Sequence, residues 1–163
     1  MIRQVLAADA GAIAAIYNHY IQETAVTFEE TPVTASDILK RIARIQQAQL
    51  PWLVAEENST LIGYAYATPW SERSAYRYSV ETTVYVSRTA VANGWGTSLY
   101  NALFTELRNN SIHVAIGGIT LPNPASIALH EKLGMTKVAH FKEVGYKFGK
   151  WLDVGYWQVQ LNP

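Results

Sequence analysis

Apolar positions along the chain change their spacing several times, and each change marks a different element. Residues 1–6 are short and strand-like, and Asp9 is placed to cap an alanine-rich helix in which Ile13, Ile16, Tyr17 and Tyr20 recur every three or four positions. Residues 28–34, with Pro32, read as a loop. Thr34 or Ser36 then caps a second helix with Ile38, Leu39, Ile42 and Ile45 on one face, and Pro51 closes the segment after it. Two β-rich runs, 52–56 and 61–68, flank the polar stretch 57–60 and predict an antiparallel hairpin. Residues 69–77 form a polar, aromatic loop, after which 78–86 has the β-branched and aromatic composition of a central strand.

Helical spacing returns over 94–110 through Leu99, Leu103, Phe104 and Leu107, and 113–121 is a buried strand of valine, isoleucine and glycine. Strand, glycine turn, helix and strand make a crossover unit, which predicts that the two strands run parallel. Pro122, Asn123 and Pro124 break the chain, and a short helix over 125–133 buries Ile127, Leu129 and Leu133 before Gly134 ends it as a C′ residue. Strands at 137–145 and 153–161 complete the order. With no repeat, low-complexity tract or linker, this predicts one mixed α/β domain over residues 1–163.

Composition narrows the chemistry. The length of 163 residues fits one domain of about 100 to 200 residues, able to bury roughly 70% of its unfolded surface without a staple. There is no cysteine, which excludes disulfides, thiolate metal sites, iron–sulfur clusters and a cysteine nucleophile. Lys plus Arg and Asp plus Glu are 13 each, with no basic run dense enough to follow a nucleic-acid backbone. The apolar runs are interrupted by glycine and proline, and the first residues lack a secretory layout, so neither a membrane span nor a signal is expected and a cytoplasmic location is the default. An apolar fraction of 49% exceeds what a small core needs and leaves surface for a second subunit.

Residues 80–97 hold the most informative chemistry. Gly94 and Gly96 open a helix, and the unpaired N–H groups of such an N-terminus suit a phosphate or pyrophosphate. A G-x-G turn is a weak signal by itself, and neither the dinucleotide fingerprint nor the phosphate-loop lysine is present. Alternation along the preceding strand puts Glu81, Thr83 and Tyr85 on one face and Val80, Thr82, Val84 and Val86 on the other. A carboxylate in such a strand is either solvated, paired with Arg73 or Arg77, or a general base whose pKa is raised by partial burial. His130, between Leu129 and Glu131 on the short helix, is a structural residue or a proton donor. His19, His113 and His140 have no visible partner.

The succession Val-Glu-Thr-Thr-Val-Tyr-Val over 80–86, Gly-Trp-Gly at 94–96, the run from Gly117 to Met135 and the tail from Gly145 to Gln158 resemble the GNAT acetyltransferases. Within them the chain looks like the phosphinothricin and methionine sulfoximine N-acetyltransferase group, over nearly its whole length. The resemblance implies the acyl-CoA N-acyltransferase fold: a mixed, mostly antiparallel sheet of about seven strands flanked by about four helices. It implies acetyl-CoA as cosubstrate with no metal, its pantetheine arm pairing with main-chain groups of Val84, Tyr85 and Val86. Its pyrophosphate meets the amides of Ala92, Asn93, Gly94, Trp95, Gly96 and Thr97, and Asn123, Ser126 and Lys132 stand in cofactor positions.

The same resemblance makes Glu81 the catalytic base and His130 the acid at the departing thiolate. Arg73, Ser74, Ala75, Tyr76 and Arg77, together with Thr83 and Asn123, bound the acceptor. It also implies a homodimer in which the partner closes the acceptor site. The chain departs from the group at Val91, where a glutamine or arginine usually stands; the lost donor weakens the cofactor site, but main-chain amides still hold the pyrophosphate, so binding is expected to survive. The expected acceptor is the α-amine of a small amino-acid analogue such as phosphinothricin, methionine sulfoximine or methionine sulfone. The competing acceptors are a polyamine or a protein N-terminus. An acidic pocket would favour the polyamine, whereas the acceptor loop has two arginines against Glu72. A non-catalytic acyl-CoA sensor is the reading from a different class, opposed by the presence of both Glu81 and His130.

Overall fold

The computed structural model describes residues 1–162. Seven strands and four α-helices follow the predicted order: β1 (Ile2–Gln4), α1 (Ala10–Glu23), α2 (Ala35–Gln47), β2 (Trp52–Glu57), β3 (Thr60–Pro69), β4 (Ser79–Val86), α3 (Trp95–Asn109), β5 (Val114–Leu121), α4 (Pro124–Lys132), β6 (Thr136–Lys147) and β7 (Lys150–Gln160). They form one seven-stranded sheet in the order β1-β2-β3-β4-β5-β7-β6. Every neighbouring pair is antiparallel except β4 and β5, which the crossover through α3 makes parallel.

Local chemistry accounts for the boundaries. Thr34 caps α2 by accepting from Asp37 N–H, while the Asp37 carboxylate accepts from Thr34 N–H. Asn58 and Ser59 both take positive φ in the two-residue turn between β2 and β3, and Phe148 and Gly149 do the same between β6 and β7. Gly134, at φ +84°, ends α4 as its amide donates to the Glu131 carbonyl. The last two strands are longer than the sequence reading gave, because two irregularities in β6 let its alternation slip while pairing continues.

Asp9 departs from its expected role. Its side chain caps no α-helical amide. The carboxylate turns back to accept from Leu6 N–H at 2.7 Å and from both terminal nitrogens of Arg3 at 2.9 Å, closing the short 3₁₀ turn Ala7–Asp9 that precedes α1. Arg3 also reaches Glu56, so this cluster ties β1 and the chain's first turn to β2.

Each face of the sheet has its own core. Leu99, Leu103 and Leu107 of α3 are fully buried against Ala65, Ala67, Val80, Ala115, Ile119 and Trp157. On the opposite face Ile13, Tyr17 and Ile21 of α1 and Ile38, Ile42 and Ile45 of α2 pack over Trp52, Val54 and Tyr64. Trp157 belongs to the first core, whereas Trp151 at the start of β7 is 64% exposed, so the aromatic C-terminal strand divides between interior and surface.

The Arg3–Asp9 cluster has a pH signature. The Arg3 hydrogen bonds hold the Asp9 carboxyl below the usual carboxylate range. Its stabilisation is therefore complete above the unfolded value of about 3.9 and is lost as pH falls through the depressed folded value. Asp9→Ala should lower unfolding stability by about 2 kcal/mol at neutral pH, and urea midpoints of variant and wild type should converge as the solution is acidified.

Candidate active site

β4 and β5 pair through only three registers, Ser79 with Val114, Val80 with Ala115 and Glu81 with Ile116. Beyond Glu81 the two strands part, although β4 stays paired with β3 to Val86 and β5 stays paired with β7 to Leu121. The result is a seam in the centre of the sheet. Ser87 N–H donates to Ile62 on the β3 side, and Tyr78 C=O accepts from His113 on the β5 side. Strict alternation then directs the main-chain groups of Glu81, Thr83 and Tyr85 to β3 and those of Thr82, Val84 and Val86 into the seam.

Two of the three residues expected to pair with a pantetheine arm thus present their amides to the seam. Tyr85 does not: its main chain pairs with Tyr64, and it lines the seam with its side chain. The Val86 carbonyl is already taken by the Tyr20 hydroxyl. Below the seam, Gly94 caps α3 at φ +80°, and the first helical bond runs from Ser98 N–H to Gly94 C=O, which leaves the amides of Trp95, Gly96 and Thr97 without helical acceptors. A Cβ on Gly96 would stand 3.3 Å from Leu129, so glycine lets the start of α3 come close to α4. A cavity of about 330 Å³ follows this path, lined among others by Val84, Tyr85, Val86, Val91, Ala92, Gly94, Gly96, Asn123 and Ser126. Exposed amides, a positive helix end and an open strand edge fit the diphosphate and amide groups of an acyl-CoA.

A second cavity of about 520 Å³ shares Val26, Val84, Tyr85 and Ser126 with the first and holds Glu81, Thr83, Tyr100, His130 and the aromatic rings of Phe28, Phe141 and Tyr156. Glu81 pairs with neither Arg73 nor Arg77, and among the described residues no side chain bonds to its carboxylate. Burial alone raises its pKa above the ordinary glutamate value.

Gly117 and Gly118 explain how this is packed. A Cβ on Gly117 would lie 2.7 Å from two atoms of the His130 ring, and one on Gly118 would lie 3.0 Å from the Tyr156 ring and 3.4 Å from a Glu81 oxygen. Successive strand residues face opposite ways, so His130 and Glu81 approach β5 from opposite faces of the sheet and meet only through the seam.

His130 is 4% exposed. Its Nδ1 stands 2.7 Å from the Ser126 carbonyl, which can only accept, so the ring proton is on Nδ1 and Nε2 is the acceptor facing the Tyr100 hydroxyl at 3.3 Å. Burial pushes the imidazole below its usual pKa and keeps it neutral, against the opposing pull of the Ser126 carbonyl. In that tautomer Nε2 accepts, so His130 gives a proton only after Nε2 has gained one. The O–H at this point belongs to Tyr100, which is fully buried on α3 and was passed over in the sequence because it falls within the apolar stripe.

Within the single chain, the loop expected to bound the acceptor lies apart from these two cavities. Arg73, Ser74 and Arg77 line a separate depression of about 400 Å³ with Glu72 and Leu50, while Ala75 and Tyr76 line neither it nor the two cavities of the seam. Arg77 donates to the Ser74 carbonyl and stacks over Tyr78, so it is held away from Glu81. Of that loop only Trp70 approaches the site, edge-on to Tyr156 at 5.7 Å. Lys132, in the last turn of α4, lines neither seam cavity, and Asn93 and Thr97 flank the cofactor path without lining it. The Asn123 side chain accepts from Ser126 N–H and so caps α4.

Residues 2–155 match the acetyltransferase (GNAT) domain profile. The chain belongs to the GNAT acetyltransferase family. It is 41% identical to a phosphinothricin N-acetyltransferase of Streptomyces viridochromogenes, covering 96% of this chain and 85% of that one. It is 39% identical to an L-methionine sulfoximine/L-methionine sulfone acetyltransferase of Salmonella typhimurium, covering 95% and 91%. A Salmonella typhimurium acetyltransferase solved with its cofactor acetyl-CoA superposes with a TM-score of 0.96 at 39% identity over 99% of this chain and 94% of that one. A GNAT phosphinothricin acetyltransferase of Sinorhizobium meliloti, in complex with acetyl-CoA, gives 0.96 at 34% identity over 99% and 88%. This GNAT protein is therefore an acetyl-CoA-dependent acetyltransferase. Among the described residues no cluster of three or more histidine or carboxylate side chains is arranged to hold a metal, and no helix is long and apolar enough to cross a membrane.

The glycine pair yields a direct test. Gly117→Ala must displace the His130 ring, so acetyl transfer should fall by roughly tenfold while acetyl-CoA binding by calorimetry stays within about twofold of wild type.

Proposed function

We propose that this enzyme acetylates the α-amine of a small amino-acid-like acceptor, of the phosphinothricin, methionine sulfoximine or methionine sulfone kind, in the cytoplasm. The observation that supports this most is the unpaired, partly buried Glu81 carboxylate in a cavity where Val26, Phe28, Phe141, Val144, Val154 and Tyr156 stand beside the neutral polar side chains of Thr83, Thr120 and Ser126. Such walls accept a compact apolar or neutral side chain, and the one carboxylate among the cavity's lining gives little purchase to a polyamine.

An α-ammonium has no lone pair for attack and must first lose a proton. Glu81 takes that proton, directly or through a water, and its raised pKa lets it do so near neutral pH. Acetyl-CoA bound along the seam would supply the activated acetyl group, and the Val86 N–H would be a main-chain donor available to its thioester oxygen. The Tyr100 hydroxyl donates to Nε2 of neutral His130 and is held beside the seam by it; as the C–N bond forms the C–S bond breaks, and the second proton shed by the nitrogen leaves with the CoA thiolate. No covalent acyl-enzyme is needed.

No arginine or lysine lines the acceptor cavity, so the acceptor's anionic group calls for a cation from outside it. Phe141, Val144, Tyr146, Phe148 and Trp151 are all more than half exposed along the β6–β7 hairpin, a patch of the kind a second copy covers. We assign a homodimer whose second chain closes the cavity and brings a guanidinium to it. Trp151→Glu should then yield monomers by light scattering and raise the acceptor KM more than the acetyl-CoA KM.

The base is tested by Glu81→Gln. Turnover should fall by about 10²- to 10⁴-fold with acetyl-CoA affinity unchanged. In wild type, kcat/KM should decline as pH drops through the raised Glu81 pKa, and the variant should lose that limb. Full activity of Glu81→Gln across pH 6 to 9, or acetyl-CoA binding with no amine-dependent release of CoA from any acceptor, contradicts the proposal.

A further inference from the structure

The acceptor cavity is built from two pieces of chain that are far apart in sequence. Residues 24–34, between α1 and α2, supply Val26, Thr27 and Phe28, while β6 supplies Phe141 and Val144. On its helix side the loop is fastened several times. The Tyr17 hydroxyl meets Thr27 Oγ1 at 2.8 Å and also bonds the Glu29 carboxylate, Arg41 grips Glu29 through both terminal nitrogens at 2.8 and 2.6 Å, and the Asn18 side chain pairs with both main-chain groups of Val33.

Toward β6 the attachment is of another kind. Lys147 is 2% exposed, and its Nζ donates to the Thr27 carbonyl at 2.8 Å. Two residues earlier on the same face of β6, Gly145 lies under the Phe28 ring, so closely that a Cβ there would stand 2.2 Å from two ring carbons. A buried ammonium held by one carbonyl and by the Phe148 ring, whose centre lies 5.1 Å from its Nζ, is a costly way to fill space, and an apolar side chain of the same length would fill it without that cost. Burial lowers the pKa of the Lys147 ammonium, and Glu30 and Glu29 oppose that shift.

We infer that Gly145 and Lys147 are positioning residues that set the width of the acceptor cavity, Lys147 by holding the Thr27 carbonyl and Gly145 by seating the Phe28 ring. They fix the distance between the loop wall and the hairpin wall, and so decide which acceptor side chains fit. Neither lines the cavity, and both act through Thr27 and Phe28. The inference rests on the reading of this cavity as the acceptor site. The cofactor path along the seam shares Val26 with this wall but takes nothing from Thr27, Phe28 or the hairpin, so acetyl-CoA binding should be nearly insensitive to them.

Lys147→Met keeps the aliphatic stem and removes the donor. With L-methionine sulfone as acceptor, the variant should show an acceptor KM raised roughly tenfold, an acetyl-CoA KM within about twofold of wild type and a little-changed kcat. Hydrogen exchange on the free protein should be faster at residues 25–29 and unchanged elsewhere. An unchanged acceptor KM with unchanged exchange overturns the inference. So does a parallel shift in both substrates' constants with faster exchange throughout, which is the signature of a merely structural lysine.

If Lys147→Met does not fold, the pair Gly145 and Phe28 decides. The three atoms nearest a Cβ at Gly145 all belong to the partly exposed Phe28 ring, so Gly145→Ala should fold with that ring pushed outward. It should raise the acceptor KM alone but add nothing in a Phe28→Ala background, whereas additive effects overturn the inference. If wild type acetylates no amino acid, the acceptor reading falls by itself, and exchange at residues 25–29 still reports on the clamp.

Discussion

The parting of β4 from β5 beyond Glu81 is the constraint on which the rest of this structure depends. Main-chain N–H and C=O groups in the middle of a sheet are ordinarily paired, and leaving them unpaired away from water costs free energy. Here two neighbouring strands remain fully paired on their outer sides and separate on their inner ones. The main-chain groups of Val84 and the N–H of Val86 are the unfilled half of a β-ladder, and an extended amide-bearing chain is the complement they lack. The positive end of α3 lies at the foot of the same opening, so one cosubstrate satisfies both.

The seam also settles how the two chemical groups relate. Glu81 and His130 stand on opposite faces of the sheet and touch β5 at adjacent glycines. Neither is positioned to act on the other. A nitrogen arriving from the Glu81 face and the acyl carrier lying along the seam meet where the strands part, which separates the place where a proton is removed from the place where the carrier departs. Desolvation acts on both groups in a useful direction: it makes the carboxylate a stronger base and keeps the imidazole neutral, free to accept from Tyr100.

Much of this was legible beforehand because it is written in local chemistry. Alternating and helical spacings gave all seven strands and four α-helices, and the crossover from 78–86 to 113–121 made their parallel pairing readable. Glu81 stood out as a charge in an apolar strand. What escaped was set by tertiary approach. Tyr100 looked like any apolar position on α3, and nothing near it in sequence announces the His130 ring. The Gly117–Gly118 pair was the available signal, since glycines inside a strand mark close approach, but not by which side chains. The loop with Arg73 and Arg77 is tied to the acceptor by resemblance alone; within the single chain Arg77 bonds Ser74 and stacks over Tyr78. Asp9 looked like a helix cap until Arg3, on the neighbouring strand, claimed its carboxylate.

The central claim is that Glu81 is a carboxylate made basic by its place in the seam, without the help of a charged neighbour. Titrating the Glu81 carboxyl carbon by NMR, assigned by comparison with Glu81→Gln, tests it most directly. The account predicts a midpoint above the value of about 4.3 for an unperturbed glutamate, rising further when acetyl-CoA excludes water from the cavity. A midpoint at or below that of a free glutamate, unchanged by acetyl-CoA, would contradict it.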